Sequence, residues 1–193
     1  MKTQILTALK FFLAMTILTG IIYPLLMTGV AQIAFPSQAN GSLILKDGKI
    51  IGSELIGQKF DSTIYFWSRP SAISYNPIPS GASNFGPTSK ALKKQVDDRR
   101  IAFATSNSIV DNGTIPPEMI FASASGLDPH ISPKAALMQV DRIVKARQFD
   151  TEKQQQILNV ITKLSEGPQF SFFGDERINV LDLNLELDRL NKK

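Results

Sequence analysis

Between Phe11 and Phe35 lie 25 consecutive residues without a charged side chain. No other feature constrains the chain as much, because roughly 20 apolar residues let a helix cross a bilayer and a surplus is taken up by tilt. A secretory signal has a shorter apolar core of roughly 7–15 residues. Ser37-Gln38-Ala39 is only a weak match to a cleavage site, so an uncleaved anchor is expected. Lys2 and Lys10 precede the run, and the next charge is Lys46. By the positive-inside rule the N-terminus is then cytoplasmic and the rest of the chain lies outside. Within the span Thr16, Gly20, Pro24 and Thr28 recur every four residues. Stripes of small side chains let membrane helices approach closely, so this one is expected to face a partner helix as well as lipid. Pro24 removes one helical hydrogen bond and is expected to kink the helix.

Beyond the span the charges nearly balance. Two of the chain's 21 lysines and arginines precede it, leaving 19 against 17 acids. That balance, without a basic stripe interleaved with aromatics, gives no nucleic-acid footprint. Cysteine is absent and histidine occurs once. Neither a disulfide framework nor a zinc site is expected, and no metal.

Short β-prone runs, Ser42–Leu45 and Lys49–Ile51, flank Asp47-Gly48 and predict a hairpin. Phe60 to Trp67, rich in aromatics and isoleucine, is expected to be a further strand. Ser68 to Ser89 is punctuated by prolines, serines and glycines and predicts a long loop, with Tyr75 and Phe85 as aromatic anchors. Thr88 to Thr105 predicts a helix with Leu92, Val96 and Phe103 inside and Lys93, Lys94, Asp97, Asp98, Arg99 and Arg100 on a solvated face. Asp150 is placed to cap another helix, in which Ile157, Val160, Ile161 and Leu164 form the apolar side, and Gly167-Pro168 stops it. In the tail, Leu181, Leu183, Leu185 and Leu187 alternate like a strand. Asn179 could equally cap a helix with Val180, Leu183, Leu187 and Leu190 inside, and both periods fit.

The richest local pattern runs from Ser123 to Arg147. Gly126 can take a positive φ, Asp128 can accept from backbone amides ahead of it, and Pro129 fixes its own φ. Ser132-Pro133 is a helix start, a hydroxyl cap followed by proline at the first helical position. One helix is expected from there, with Ala136, Val140, Ile143 and Val144 on its core stripe. Gln139 and Arg142 share another side, expected to meet water or a partner. His130 sits between the turn and the cap.

These segments, taken together, resemble the C subunit of the bacterial Kdp potassium-transporting P-type ATPase. The resemblance is carried by Tyr65-Phe66-Trp67-Ser68-Arg69-Pro70-Ser71-Ala72, Ser80-Gly81-Ala82-Ser83-Asn84-Phe85-Gly86-Pro87-Thr88-Ser89, Ser123 through Pro133, and Ile178-Asn179-Val180-Leu181-Asp182-Leu183-Asn184-Leu185. It covers nearly the whole chain, span included. Ile120-Phe121-Ala122 departs from it, standing where the family shows a Val-Thr-Ala type run.

The resemblance implies a complex with a channel-like potassium-binding subunit, a P-type ATPase subunit and a small membrane peptide. It also implies a role in assembly, and as a catalytic chaperone that raises the ATP affinity of the ATPase subunit. ATP is then a cofactor only together with that subunit. Ser123, Ser125, Gly126, His130, Gln139 and Arg142 are the residues it singles out for nucleotide linkage or partner contact. With the domain outside, such linkage has to pass through the membrane helices, by differential binding to two states of the partner.

The expected architecture is a mixed α/β (α+β) extracytoplasmic domain, residues 36–193, preceded by one N-terminal transmembrane helix, residues 11–35, and a cytoplasmic N-terminus, residues 1–10. The expected location is the bacterial inner membrane. Two other classes remain as alternatives. One is a membrane-anchored exported serine hydrolase, for which Gly81-Ala82-Ser83-Asn84-Phe85 lacks the second glycine of a nucleophile elbow and Ser132/Lys134 and His130/Asp128 are the remaining pairs. The other is a free-standing extracytoplasmic binding module. No catalytic residue is expected.

Overall fold

The computed structural model describes residues 2–191. The chain divides into two compact units, Met1–Ser53 and Glu54–Lys193.

The first unit is built on one helix, Lys2–Ala34, 33 residues long and apolar enough to cross a membrane. It comprises α1 (Lys2–Ile17), a π-helical turn (Leu18–Ile22) and α2 (Tyr23–Ala34). The π turn lies just ahead of Pro24, whose missing amide disturbs the regular ladder. There the Tyr23 amide donates to the Leu18 carbonyl, five residues back. The hydroxyls of Thr16 and Thr28 each donate to the carbonyl four residues earlier, Phe12 and Pro24, at 2.8 Å. These two hydroxyls are thereby satisfied inside the helix, as a hydrocarbon surrounding demands. A short helix, α3 (Pro36–Ala39), leads to strands β1 (Leu43–Lys46) and β2 (Lys49–Ser53). These form the expected antiparallel hairpin, with Lys46 opposite Lys49. Asp47 and Gly48 take φ of 52° and 74°, the paired left-handed geometry of a two-residue turn that matches strand twist.

The second unit is mostly helical. Its elements are α4 (Lys90–Ser106), β3 (His130–Ile131), α5 (Pro133–Leu137), α6 (Val140–Arg147), α7 (Thr151–Leu164), β4 (Ile178–Asn179) and α8 (Val180–Asn191). Caps set the helix starts, at Ser132 and Asp150 as expected and at Ser89, one residue beyond the expected start at Thr88. Ser89 accepts from the Leu92 amide, Ser132 from Ala135 at 3.1 Å and Asp150 from Lys153 at 2.8 Å. The ambiguous tail is a helix. The Asn179 side chain accepts from the Leu181 amide at 3.0 Å, and Val180, Leu183 and Leu187 enter the core. Two-residue strands β3 and β4 pair antiparallel, His130 against Asn179 and Ile131 against Ile178. The pairing fixes the turn before α5 beside the start of α8. The core is formed by Phe66, Ile131, Ile143, Ile157, Ile161, Ile178, Leu183 and Leu187.

Two expectations are corrected. Phe60 to Trp67 forms no strand, because side-chain amides and an arginine occupy the backbone groups a ladder would use. The helix expected to run unbroken from Pro133 divides into α5 and α6 at Met138-Gln139. There the Gln139 amide donates to Ala136, three residues back, and φ reaches −98°. Ala136, Val140 and Ile143 are buried as expected, but so are Gln139 and Arg142. Their side faces the interior of the unit, and not water or a partner as expected.

The loop from Ser68 to Ser89 carries no helix or strand and is held at a few points. The Tyr75 hydroxyl donates to the Arg69 carbonyl, and burial pushes that phenol up to about 12. Phe85, by contrast, stays exposed. Gly126 has φ of 72°, and a Cβ there would lie 2.4 Å from Ile73 Cγ1. Only glycine permits that approach.

After α7 the chain makes a narrow finger. Glu166 and Arg177 exchange backbone hydrogen bonds at 2.9 and 3.0 Å, and Gln169 and Phe173 do so at 2.8 and 2.9 Å. At the tip Phe170 and Ser171 both take left-handed φ, 53° and 68°. For residues with a Cβ that costs on the order of 1–3 kcal/mol each.

Candidate functional site

Arg142 and Gln139 organise a polar junction inside the second unit. From α6 the Arg142 guanidinium donates to Asn107 Oδ1 at 2.9 Å, to the Tyr65 carbonyl at 3.0 Å, to the Thr63 carbonyl, and to Gln139 Oε1 at 2.8 Å. Its Cζ lies 4.4 Å from the centre of the Trp67 ring, close enough for cation–π attraction. Among the described residues no carboxylate pairs with it, and burial pushes its pKa down to about 10. Carbonyls and an aromatic face hold the charge.

Gln139 Oε1 also accepts from the Trp67 amide at 2.7 Å, while its Nε2 donates to the Ala135 carbonyl at 3.1 Å. Asn184 of α8 does the same for Phe66, accepting from its amide at 2.8 Å and donating to its carbonyl at 3.0 Å. The segment before the long loop is therefore strapped between α6 and α8 by three side chains. Arg147 extends the strap, donating to the Ile64 carbonyl at 2.7 Å and to Asp188 at 2.9 Å.

A second feature is an open cleft of about 580 Å³ lined by Arg69, Glu118, Asp128, His130, Lys134 and Arg177, among others. Asp128 is its hub. Its Oδ2 accepts from Arg69 at 2.6 Å, and its Oδ1 accepts from the His130 amide at 3.0 Å and lies 3.4 Å from His130 Nδ1. Burial alone would push this carboxyl up. The hydrogen bonds from the His130 side chain and amide, with the Arg69 charge, more than offset that and bring it down to about 2.

The six residues singled out from the sequence divide between these places. Gln139 and Arg142 are in the buried junction and His130 is in the cleft. Ser123 is buried at the root of the long loop, where its amide donates to the Pro70 carbonyl at 3.1 Å. Ser125 is exposed, its hydroxyl accepting from the Leu127 amide at 3.1 Å, and Gly126 supports Ile73. They do not converge on one open pocket. Gln139 has both ends of its amide occupied and Arg142 is committed to carbonyls, so these residues do not fit a direct nucleotide cradle. His130 and Asp128 do meet, but the Ser132 hydroxyl is the cap of α5 and no hydrogen bond joins it to Lys134 or His130 among the described residues, so no serine is paired with a base. Sequence reasoning passed over Asn107, Asn184, Arg69 and Arg147. Asn184, a lone amide amid leucines, was the one with a visible signal.

One N-terminal helix long and apolar enough to span a membrane, in a chain of helices and two small two-stranded sheets, is the architecture expected of the class of membrane-anchored proteins. A profile of the family described as "K+-transporting ATPase, c chain" matches residues 5–189. The Potassium-transporting ATPase KdpC subunit of Geotalea uraniireducens is 46% identical over 193 residues, covering 98% of this chain and 99% of its own. Its namesake from Dechloromonas aromatica is 45% identical over 196 residues, covering both chains completely. That of Methylococcus capsulatus is 45% identical over 186 residues, 95% of this chain and 96% of its own. The chain belongs to the KdpC family, the c chains of the K+-transporting ATPase.

Proposed function

We propose that the chain is a single-pass accessory subunit of an ATP-driven potassium uptake complex of the bacterial inner membrane. It supports assembly with the channel-like subunit, the P-type ATPase subunit and the small membrane peptide, and acts as a catalytic chaperone that raises the ATP affinity of the ATPase subunit. The observation that carries this reading is the Lys2–Ala34 helix, 33 residues long and apolar enough to cross a membrane. Such a helix leaves the Thr16/Gly20/Pro24/Thr28 stripe free to meet other membrane helices. Lys2 and Lys10 support a cytoplasmic N-terminus and an extracytoplasmic second unit.

In this reading the second unit makes no contact with nucleotide. Gln139 and Arg142 serve the linkage by holding the Thr63–Trp67 segment in one conformation, which the partner reads, and Ser123, Ser125, Gly126 and His130 shape the adjoining loop surface. A ligand raises affinity elsewhere only through different binding to two states of the partner. The test is protease added to right-side-out spheroplasts, with ATP-dependent activity of the reconstituted complex measured against ATP concentration. Cleavage of the second unit, together with a rise in the ATP concentration needed when the chain is omitted, is expected. Full protection of the second unit, while a known outer domain is cut, overturns the topology. An ATP curve indifferent to the chain overturns the chaperone role.

A further inference from the structure

We propose that the Glu166–Arg177 finger docks its tip into an apolar socket, rimmed by lysine or arginine, on another protein subunit of the complex. The tip presents Phe170, Phe172 and Phe173 at 82%, 70% and 60% exposure. Phe172 and Phe173 stack with ring centres 4.2 Å apart, so they form one apolar knob. None of the three belongs to the hydrophobic core of the second unit. The finger is nevertheless a built object, since two backbone pairings close it and a Glu166–Arg177 ion pair at 2.9 Å locks its base. Phe170 and Ser171 take left-handed φ and the Phe172 amide donates to the Gln169 carbonyl at 3.2 Å, so a two-residue turn closes the tip and holds the rings in place. Bulky aromatics at the centre of a patch with polar groups around it are the composition of an interface anchor.

The charge selects the occupant. Residues 166–177 carry three acids and one arginine, and Asp175 and Glu176 are exposed on the limb that runs from the tip back to the cleft they help line. An anionic lipid surface would repel that collar, and phenylalanine lacks the polar handle by which tryptophan and tyrosine settle among headgroups. A second copy would set one acidic collar against another. A basic-rimmed socket on a different protein meets both the knob and the collar. The inference rests on the reading of the chain as a subunit of a membrane complex.

The test places a photo-crosslinking phenylalanine analogue at Phe172 of the full-length chain in cells making the whole complex, and at Thr28 as a second site. The expected result is a crosslink from Phe172 to another protein subunit, at least threefold weaker when Asp175→Lys and Glu176→Lys are added. A crosslink only to lipid, or only to a second copy of the chain, overturns the proposal, and a yield indifferent to charge reversal overturns the basic rim. If Thr28 crosslinks to a partner and Phe172 does not, the finger is idle while the subunit reading stands. If neither does, both fall. In parallel, Phe170→Ser/Phe172→Ser/Phe173→Ser should leave thermal unfolding of the chain unchanged and lower recovery of the complex in mild detergent at least tenfold. Undiminished recovery would also overturn the docking role.

Discussion

Replacing Gln139 by leucine tests whether the buried junction holds the second unit together. The two side chains are similar in volume, so packing changes little and the loss is one of hydrogen bonding. The Trp67 amide, bonded to Gln139 Oε1 at 2.7 Å, is left without a partner, at about 1–3 kcal/mol. Arg142 loses the acceptor at 2.8 Å, and charge-assisted bonds are roughly twice as strong as neutral ones, so a similar amount follows. The sum is about 3–4 kcal/mol. For a unit of this size that is a fall in Tm of about 10–15 °C.

Gln139→Glu keeps both acceptor contacts and sets an opposite charge beside Arg142, losing the donation to the Ala135 carbonyl at 3.1 Å and the long one to the Trp67 carbonyl at 3.5 Å. It should lie within about 1 kcal/mol of the parent. Fluorescence of Trp67, the only tryptophan, reports unfolding of the full-length chain in detergent from within the junction. A leucine variant within about 0.5 kcal/mol of the parent, or a glutamate variant less stable than the leucine one, would refute the reasoning.

Three further outcomes are expected. Asp128, held at about 2 in the folded chain against an ordinary 3.8, contributes stability that is complete above pH 4 and lost as pH falls toward 2. Asp128→Asn should therefore flatten the acid limb of a stability–pH profile by about 2 kcal/mol, and an unaltered limb would remove Asp128 as its source. Gly126→Ala should lower the denaturant midpoint by the equivalent of about 2 kcal/mol, since strained φ and collision with Ile73 add. Gly20→Leu should leave the isolated chain folded, there being nothing within 4 Å of a Cβ at that position, yet lower recovery of the complex. Ile22→Leu should be silent there, and equal recovery of both variants would show that the stripe is no interface.

Local chemistry was legible where it is self-contained. The Asp47-Gly48 turn and the caps Ser132 and Asp150 act on groups two or three residues away, so sequence spacing was enough to place them. The tail needed more, because alternation and helical spacing coincide over Leu181 to Leu187. The Asn179 cap and a β4 only two residues long decide it. Phe60 to Trp67 has the composition of a strand, yet its partners are side chains from α6 and α8, 72 to 118 residues distant in sequence for Gln139 and Asn184. No periodicity announces an amide that replaces a neighbouring strand. Gln139 and Arg142 are expected on a side open to water or a partner because the spacing is read as one continuous helix. The break at Met138-Gln139 resets the faces, and α6 is enclosed on two sides. The six singled-out residues are thus spread over the junction, the root of the long loop and the cleft, and form no single surface.

The π turn in the membrane helix changes what a four-residue repeat means. On a regular α-helix each step of four overshoots a full revolution by about 40°, so a ridge of small residues winds steadily around the cylinder. A neighbour lying alongside would lose it within a few steps. Between Leu18 and Ile22 the turn is wider, and the overshoot shrinks just where Gly20 lies midway between Thr16 and Pro24. The groove consequently runs straighter there than the same letters would on an unbroken helix. A companion helix can follow it for longer at a shallow angle. Proline, usually read as an interruption, here straightens a track.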